Sequence, residues 1–203
     1  MKTLAKNLDA ISLFEREKFG GKYVRNKCGR DFLYYALNYY YPEEFNNLTN
    51  NPLQIEQKGL FGTPVPAWLA WTQIQFRKVP ELLQTRNLQL SINNRGILSY
   101  ADFVKATLFS RMSFSEALRE IEKSVDNDTV SGIDISIGLG GLLDHVMFVY
   151  GYDAENVYVI DTHKVKPLNY KEIEENKLLF ALPVEEVRKR WTRFGRVWKV
   201  AKI

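Results

Sequence analysis

One cysteine, Cys28, and two histidines, His145 and His163, are the whole stock of thiol and imidazole in this chain. A single cysteine excludes an intrachain disulfide, and no paired-thiol zinc motif is present. Long apolar runs are also missing. No stretch approaches the roughly 20 residues needed to span a bilayer as a helix. Charged residues interrupt the segment from Leu4 to Phe14, so residues 1–18 lack the apolar core of a secretory signal, and a cytoplasmic location is the expectation. The glycine-rich link from Gly138 to Leu143 has neither the spacing nor the lysine of a phosphate-binding loop. No internal repeat or low-complexity tract occurs. Charge of one sign is not in excess either. The 28 Lys and Arg against 24 Asp and Glu leave +4, an ordinary solubility balance with no nucleic-acid signal of its own.

The 203 residues, 45% hydrophobic and 26% charged, suffice for one domain with a sizeable core. The chain is read as a single domain, 1–203, mainly helical over 1–130 and mainly β over 131–203. Phe32, Leu33, Ala36, Leu37 and Tyr40 recur at helical spacing, which predicts a helix from Cys28 to about Tyr41, stopped by Pro42. Asp31 falls in its first turn. A sulfur at a helix N-terminus is favoured as thiolate, the nucleophilic form. Lys27 and Arg30 flank it and act in the same direction. The alternative for a lone cysteine is plain core filler.

Further elements follow in order. Leu8 to Lys18 reads as a short amphipathic helix, residues 43–63 as a polar connection, and the Trp68–Trp71 region as helical. Pro80 to Thr85 reads as a helical turn and Leu88–Ile92 as a strand, with a turn at Asn93–Gly96. Tyr100 to Leu108 is a predicted helix. Ser113 and Glu116 have the spacing of a capping box ahead of Leu118, Ile121 and Val125. Then the period changes. Ile133, Ile135 and Ile137 alternate with polar residues, His145 to Tyr150 is apolar on both faces, and Val157 to Ile160 returns. Pro183 to Arg190 suggests a brief helix and Arg196 to Val200 a last strand. The class is α+β, a helical half packed on a mostly antiparallel sheet.

The hairpin brings two ionisable residues together. With Tyr150 and Asn156 as the last facing pair around a five-residue turn, His145 and Asp161 stand opposite each other, Cβ atoms roughly 5 Å apart. A carboxylate there fixes the imidazole tautomer and leaves the other ring nitrogen free to act. Each has a plainer reading, His145 as a satisfied core histidine and Asp161 as a turn residue. Cys28, His145, Asp161 and His163 also make a conceivable four-ligand zinc set.

These residues resemble the papain-like cysteine peptidases, and most closely the C39-like peptidase family. The likeness lies in Asn26-Lys27-Cys28-Gly29 at a helix start, in His145-Val146-Met147-Phe148-Val149-Tyr150-Gly151-Tyr152-Asp153, and in Val157-Tyr158-Val159-Ile160-Asp161. A short Gly62-Thr63 element between the halves adds to it. The resemblance covers about residues 20–165. It implies a papain-like fold and a thiol-dependent peptidase or amidase with Cys28, His145 and Asp161 as triad. It implies a peptide or protein substrate and no cofactor or metal. It departs at Lys22, where papain-like enzymes carry a glutamine oxyanion donor, and at Thr162, where C39-like proteins prefer proline. Lys22 and Asn26 are the side-chain oxyanion candidates, beside the backbone N–H of Cys28. The departure at Lys22 motivates a second reading, an inactive papain-like domain that binds a peptide or protein, with Tyr34, Tyr35, Tyr39 and Tyr41 as contact aromatics. A third reading takes the basic and aromatic stretch from Arg188 to Lys199 as a surface for nucleic acid or membrane, against packing of its rings on the core.

Overall fold

The computed structural model describes residues 1–5, 28–45, 79–138, 143–161, 168–173, 179–192 and 195–203. The expected N-terminal helix, the Trp68–Trp71 segment, Gly62-Thr63, most of the Gly138–Leu143 link and Thr162-His163 lie outside them, as do Lys22, Asn26 and Lys27 and the side chains of Arg30 and Asp31.

Among the described residues nine strands form one sheet in which every pairing is antiparallel. They are β1 (Lys2–Thr3), β2 (Leu88–Ile92), β3 (Arg95–Gly96), β4 (Val130–Gly138), β5 (Leu143–Tyr152), β6 (Asn156–Ile160), β7 (Lys171–Glu172), β8 (Leu179–Pro183) and β9 (Arg196–Lys202). The spatial order is β3-β2-β9-β4-β5-β6-β8-β7, with β1 paired to β5. The central strands β4 and β5 are buried on both faces, in keeping with their near-continuous apolar sequence. Helices are α1 (Cys28–Tyr40), α2 (Pro42–Phe45), α3 (Tyr100–Phe109), α4 (Phe114–Asp126) and α5 (Val184–Arg190), with a further helical turn over 79–84.

Local rules account for most element ends. Pro42 does more than end α1. It opens α2 as its first residue, where its missing N–H costs nothing, and Glu43 and Glu44 follow in the first turn. Asn93 and Asn94, with φ of 48° and 62°, make the left-handed turn that joins β2 to β3. Ser113 and Glu116 form the expected capping box on α4. The strands β7 and β8 carried no signal in the sequence reading and complete one edge of the sheet.

The helices cover both faces of the sheet. On one face α1 and α3 pack with Leu90, Val130, Phe148 and Trp198; on the other, α4 and α5 pack with Ile133, Met147, Val159 and Val197. Residues 32–39 of α1 are buried all round, so α1 is a core helix. This overturns one sequence expectation: Tyr34, Tyr35 and Tyr39 lie in the core and are no surface for a partner, and the Tyr41 hydroxyl donates to the Arg86 carbonyl. Gly132 lets α1 approach. A Cβ there would stand 2.7 Å from two Phe32 ring carbons and 3.0 Å from the Met147 carbonyl oxygen. The Phe32 ring meets Phe148 at 6.3 Å and Trp198 edge-on at 5.8 Å, which seats α1 one turn beyond Cys28.

Candidate active site

Cys28 is the first residue of α1, a free thiol that is partly buried. Its position at the first turn sets its backbone N–H among those without an intrahelical partner. His145 enters from β5, opposite Ile135 of β4. Asp161 follows the last residue of β6. His145 and Asp161 are 4% and 2% exposed, so neither is surface decoration.

The three side chains meet. His145 Nε2 lies 2.9 Å from Asp161 Oδ1. The Cys28 side chain acts on the same ring, by hydrogen bonding and by charge, in the direction that favours the protonated imidazole. Burial alone would push this ring toward its neutral form. The charge of Asp161 and its hydrogen bond, joined by the hydrogen bond and charge of Cys28, outweigh burial and hold His145 well above the ordinary histidine range. Such a ring is at once an acceptor for the thiol proton and a fixed donor to the carboxylate.

The route to this geometry differs from the hairpin expected from sequence. The turn is shorter, with Tyr152 opposite Val157 and Gly151 opposite Tyr158. A bulge at Tyr150 then resets the ladder to Val149 opposite Val159 and Phe148 opposite Ile160. Tyr150 therefore does not face Asn156, and His145 does not face Asp161. Continued from the turn without the bulge, the register would set Asp161 opposite Phe148, on the face away from His145. The extra residue moves Asp161 to the level of Met147, on His145's own face and diagonal to it. Because β6 ends opposite Phe148, β5 at His145 is paired only on its β4 side among the described residues.

Sequence reasoning missed two groups. The Tyr170 hydroxyl donates to the second carboxylate oxygen of Asp161 and lies 3.5 Å from Met147 Sδ; its ring stacks on Phe180 at 4.7 Å. Both Asp161 oxygens are thus engaged. The signal for Tyr170 was only a tyrosine in an irregular stretch. The second group is a buried ion cluster on the α1 face. Arg196 Nη1 donates to Asp134 Oδ2 at 2.9 Å and to Asp144 Oδ2 at 3.2 Å, and Trp198 Nε1 donates to Asp134 Oδ2 at 3.2 Å.

Lys22 and Asn26 lie outside the described residues, as does His163, the fourth member of the conceivable zinc set. Among the described residues no group of three or more His, Cys, Asp or Glu side chains is arranged to hold a metal ion. Within the Arg188–Lys199 stretch Arg188 and Lys189 are exposed, and several other polar groups are engaged locally. Arg188 lies over the Phe114 ring at 5.1 Å, Trp191 Nε1 donates to the Met112 carbonyl at 2.9 Å, Lys199 pairs Glu120 at 2.9 Å, and Trp198 is buried. No helix among the described residues is long and apolar enough to cross a membrane.

No family model matches the chain, and comparison with curated proteins and with solved structures finds no match.

Proposed function

We propose that this protein is a thiol-dependent hydrolase of peptide or amide bonds, with a papain-like fold closest to the C39-like peptidases. The carrying observation is the relay itself. A partly exposed helix-terminal sulfur acts on a buried imidazole whose Nε2 is held 2.9 Å from a buried carboxylate. A core histidine satisfied elsewhere would have no such contact with the one thiol of the chain.

In the reaction, His145 takes the Cys28 proton and sulfur attacks the substrate carbonyl. The carbonyl oxygen gains charge and is met by the backbone N–H of Cys28, with Lys22 and Asn26 as side-chain candidates. Collapse of the tetrahedral intermediate breaks the C–N bond as His145 protonates the leaving amine. His145 then removes a proton from water, which attacks the thioester and releases acid and thiol. Asp161 keeps the ring in the tautomer that faces sulfur. The same trio serves transfer to a primary amine, and product analysis with and without added amine separates the two outcomes.

The test is alkylation of Cys28 by iodoacetamide at neutral pH. H145A is expected to label at least about tenfold more slowly than wild type. Equal rates would end the activated-thiol reading. Against a peptide panel, C28S is expected to abolish turnover.

A further inference from the structure

The bulge that carries Asp161 to the face of His145 is held from the other flank of β5. There β4 pairs as far as Val149, and β1 takes over at Gly151 and Tyr152, with Thr3 opposite Gly151 and Lys2 opposite Tyr152. Tyr150, the extra residue of the bulge, sits between these two partners. Its carbonyl accepts the Leu4 N–H at 2.8 Å. Val130, the first residue of β4, gives its own N–H to the Tyr40 hydroxyl at 3.2 Å. Leu4 and Tyr150 are 3% and 2% exposed and share the core cluster of the α1 face, so this carbonyl without Leu4 would be a buried, unmet acceptor. Gly151 admits the close approach. A Cβ there would run into the Lys2 carbonyl oxygen and stand 3.1 Å from Thr3 Cγ2.

The same segment is tied to the cysteine helix. The Ala5 N–H donates to Asp128 Oδ1 at 2.8 Å, and the Tyr39 hydroxyl of α1 donates to the same oxygen. Asp128 lies between α4 and β4 with φ of 53°, a left-handed conformation that aspartate tolerates better than most residues. The outer contact, Lys2 with Asp126 at 3.0 Å, is solvent-exposed and contributes little.

We propose that residues 2–5 are a positioning strap for the imidazole–carboxylate pair: the Leu4 N–H fixes the bulge at Tyr150, Asp128 anchors the strap to α1, and the bulge keeps Asp161 on the face of His145. An external hold is needed because Val159 and Ile160 are both apolar, so the side-chain pattern of β6 does not choose between the bulged register and the unbulged one that turns Asp161 away. Loss of the strap strands the Tyr150 carbonyl and removes the preference for the bulge. Leu4, Gly151 and Asp128 are positioning residues that act through Asp161. The consequence for catalysis rests on the thiol–imidazole reading of the site; the effect on the ring does not.

The experiment is an NMR titration of the His145 ring in full-length wild type, G151A, D128G, D128N and D161A, with H163N used to assign the two histidines and circular dichroism to choose a temperature at which each is folded. G151A drives a methyl group into the strap and changes no charge. D128G removes the anchor without left-handed strain, and D128N keeps an acceptor oxygen. Asp161 holds the His145 ring above the ordinary histidine range, so drawing the carboxylate away lowers the midpoint. G151A and D128G are expected to lower it by about half to one pH unit, in the direction of D161A, and D128N to leave it at the wild-type value. Cys28 alkylation should slow in step. G151A placed on a D161A background should produce no further fall. An unmoved midpoint in folded G151A and D128G would overturn the proposal, because a strap that only adds stability leaves the titration of the folded ring unchanged. A fall of the same size on the D161A background would overturn it too, since the effect would then not pass through Asp161. Where G151A does not fold, D128G against D128N carries the comparison. A lowered midpoint with equal labelling of wild type and H145A would keep the strap's role and remove the hydrolase reading.

Discussion

Asp161 reaches His145 along a diagonal of the β5–β6 hairpin, Oδ1 to Nε2 at 2.9 Å, while the Tyr170 hydroxyl holds its other oxygen. The carboxylate is thereby fixed at both ends, and the ring it faces cannot turn without breaking a buried, charge-assisted hydrogen bond. Cys28, His145, Asp161 and Tyr170 come from a helix start, a strand, a strand end and an irregular segment, so each can be removed separately.

Removing the acceptor should grade with what replaces it. D161N keeps the shape and one acceptor oxygen, and is expected to retain part of the Cys28 alkylation rate. D161A removes the carboxylate that holds the buried imidazole and should lower that rate much further, approaching H145A, since members of one unit are not additive. Alkylation rates of the three variants at neutral pH check this; equal rates for D161A and wild type would deny Asp161 an orienting role.

Tyr170 should act through Asp161 alone. Y170F removes a donor to a carboxylate and is expected to cost about 1.5–3 kcal/mol of stability. It should slow alkylation less than D161A does, because Oδ1 still holds the ring. Urea unfolding measured alongside the alkylation rate separates the two effects. Placing Y170F on a D161A background should then add little.

Gly132 should control how closely the Cys28 helix approaches the sheet. G132A drives a methyl group into the Phe32 ring, and overpacking of this kind costs about 1–3 kcal/mol. Relief by lifting α1 would move Cys28 away from His145, so the alkylation rate should fall as well as the stability. I121V, in α4 on the far face of the sheet, supplies the control: a core change that lowers stability with alkylation unaltered.

Stability should fall as pH rises from 5.5 to 8.5. His145 has its pKa raised in the fold, so its contribution is whole below the unfolded value of about 6.5 and is lost as pH rises through the folded one. Asp144, pushed up to about 7, has the same sign: the folded state binds its proton more tightly, and the contribution fades between the ordinary carboxylate range and about 7. Carboxylates held low, such as Glu116 by Ser113 and Glu120 by Lys199, act in the opposite sense but only near and below about pH 4.5. Thermal melts across this range should show a decreasing Tm, with a shallower slope in D144N. A flat wild-type profile would contradict both assignments.

What the sequence by itself determined is local. The helix from Cys28, the Ser113–Glu116 cap, the Leu88–Ile92 strand and the order Cys28, His145, Asp161 were legible because apolar period and cap chemistry are written within a few residues. The α+β class followed from the change of period after Val125. Tertiary structure decided the rest. The bulge at Tyr150 is invisible in a strand that is apolar on both faces, because no polar alternation marks its register, yet that single residue brings Asp161 onto the face of His145. Tyr170 and Arg196 reach their partners only through strand pairing, and the burial of Tyr34, Tyr35 and Tyr39 depends on the sheet laid against α1. Side-chain identity named the chemistry; the pairing of distant strands supplied the distances at which it can operate.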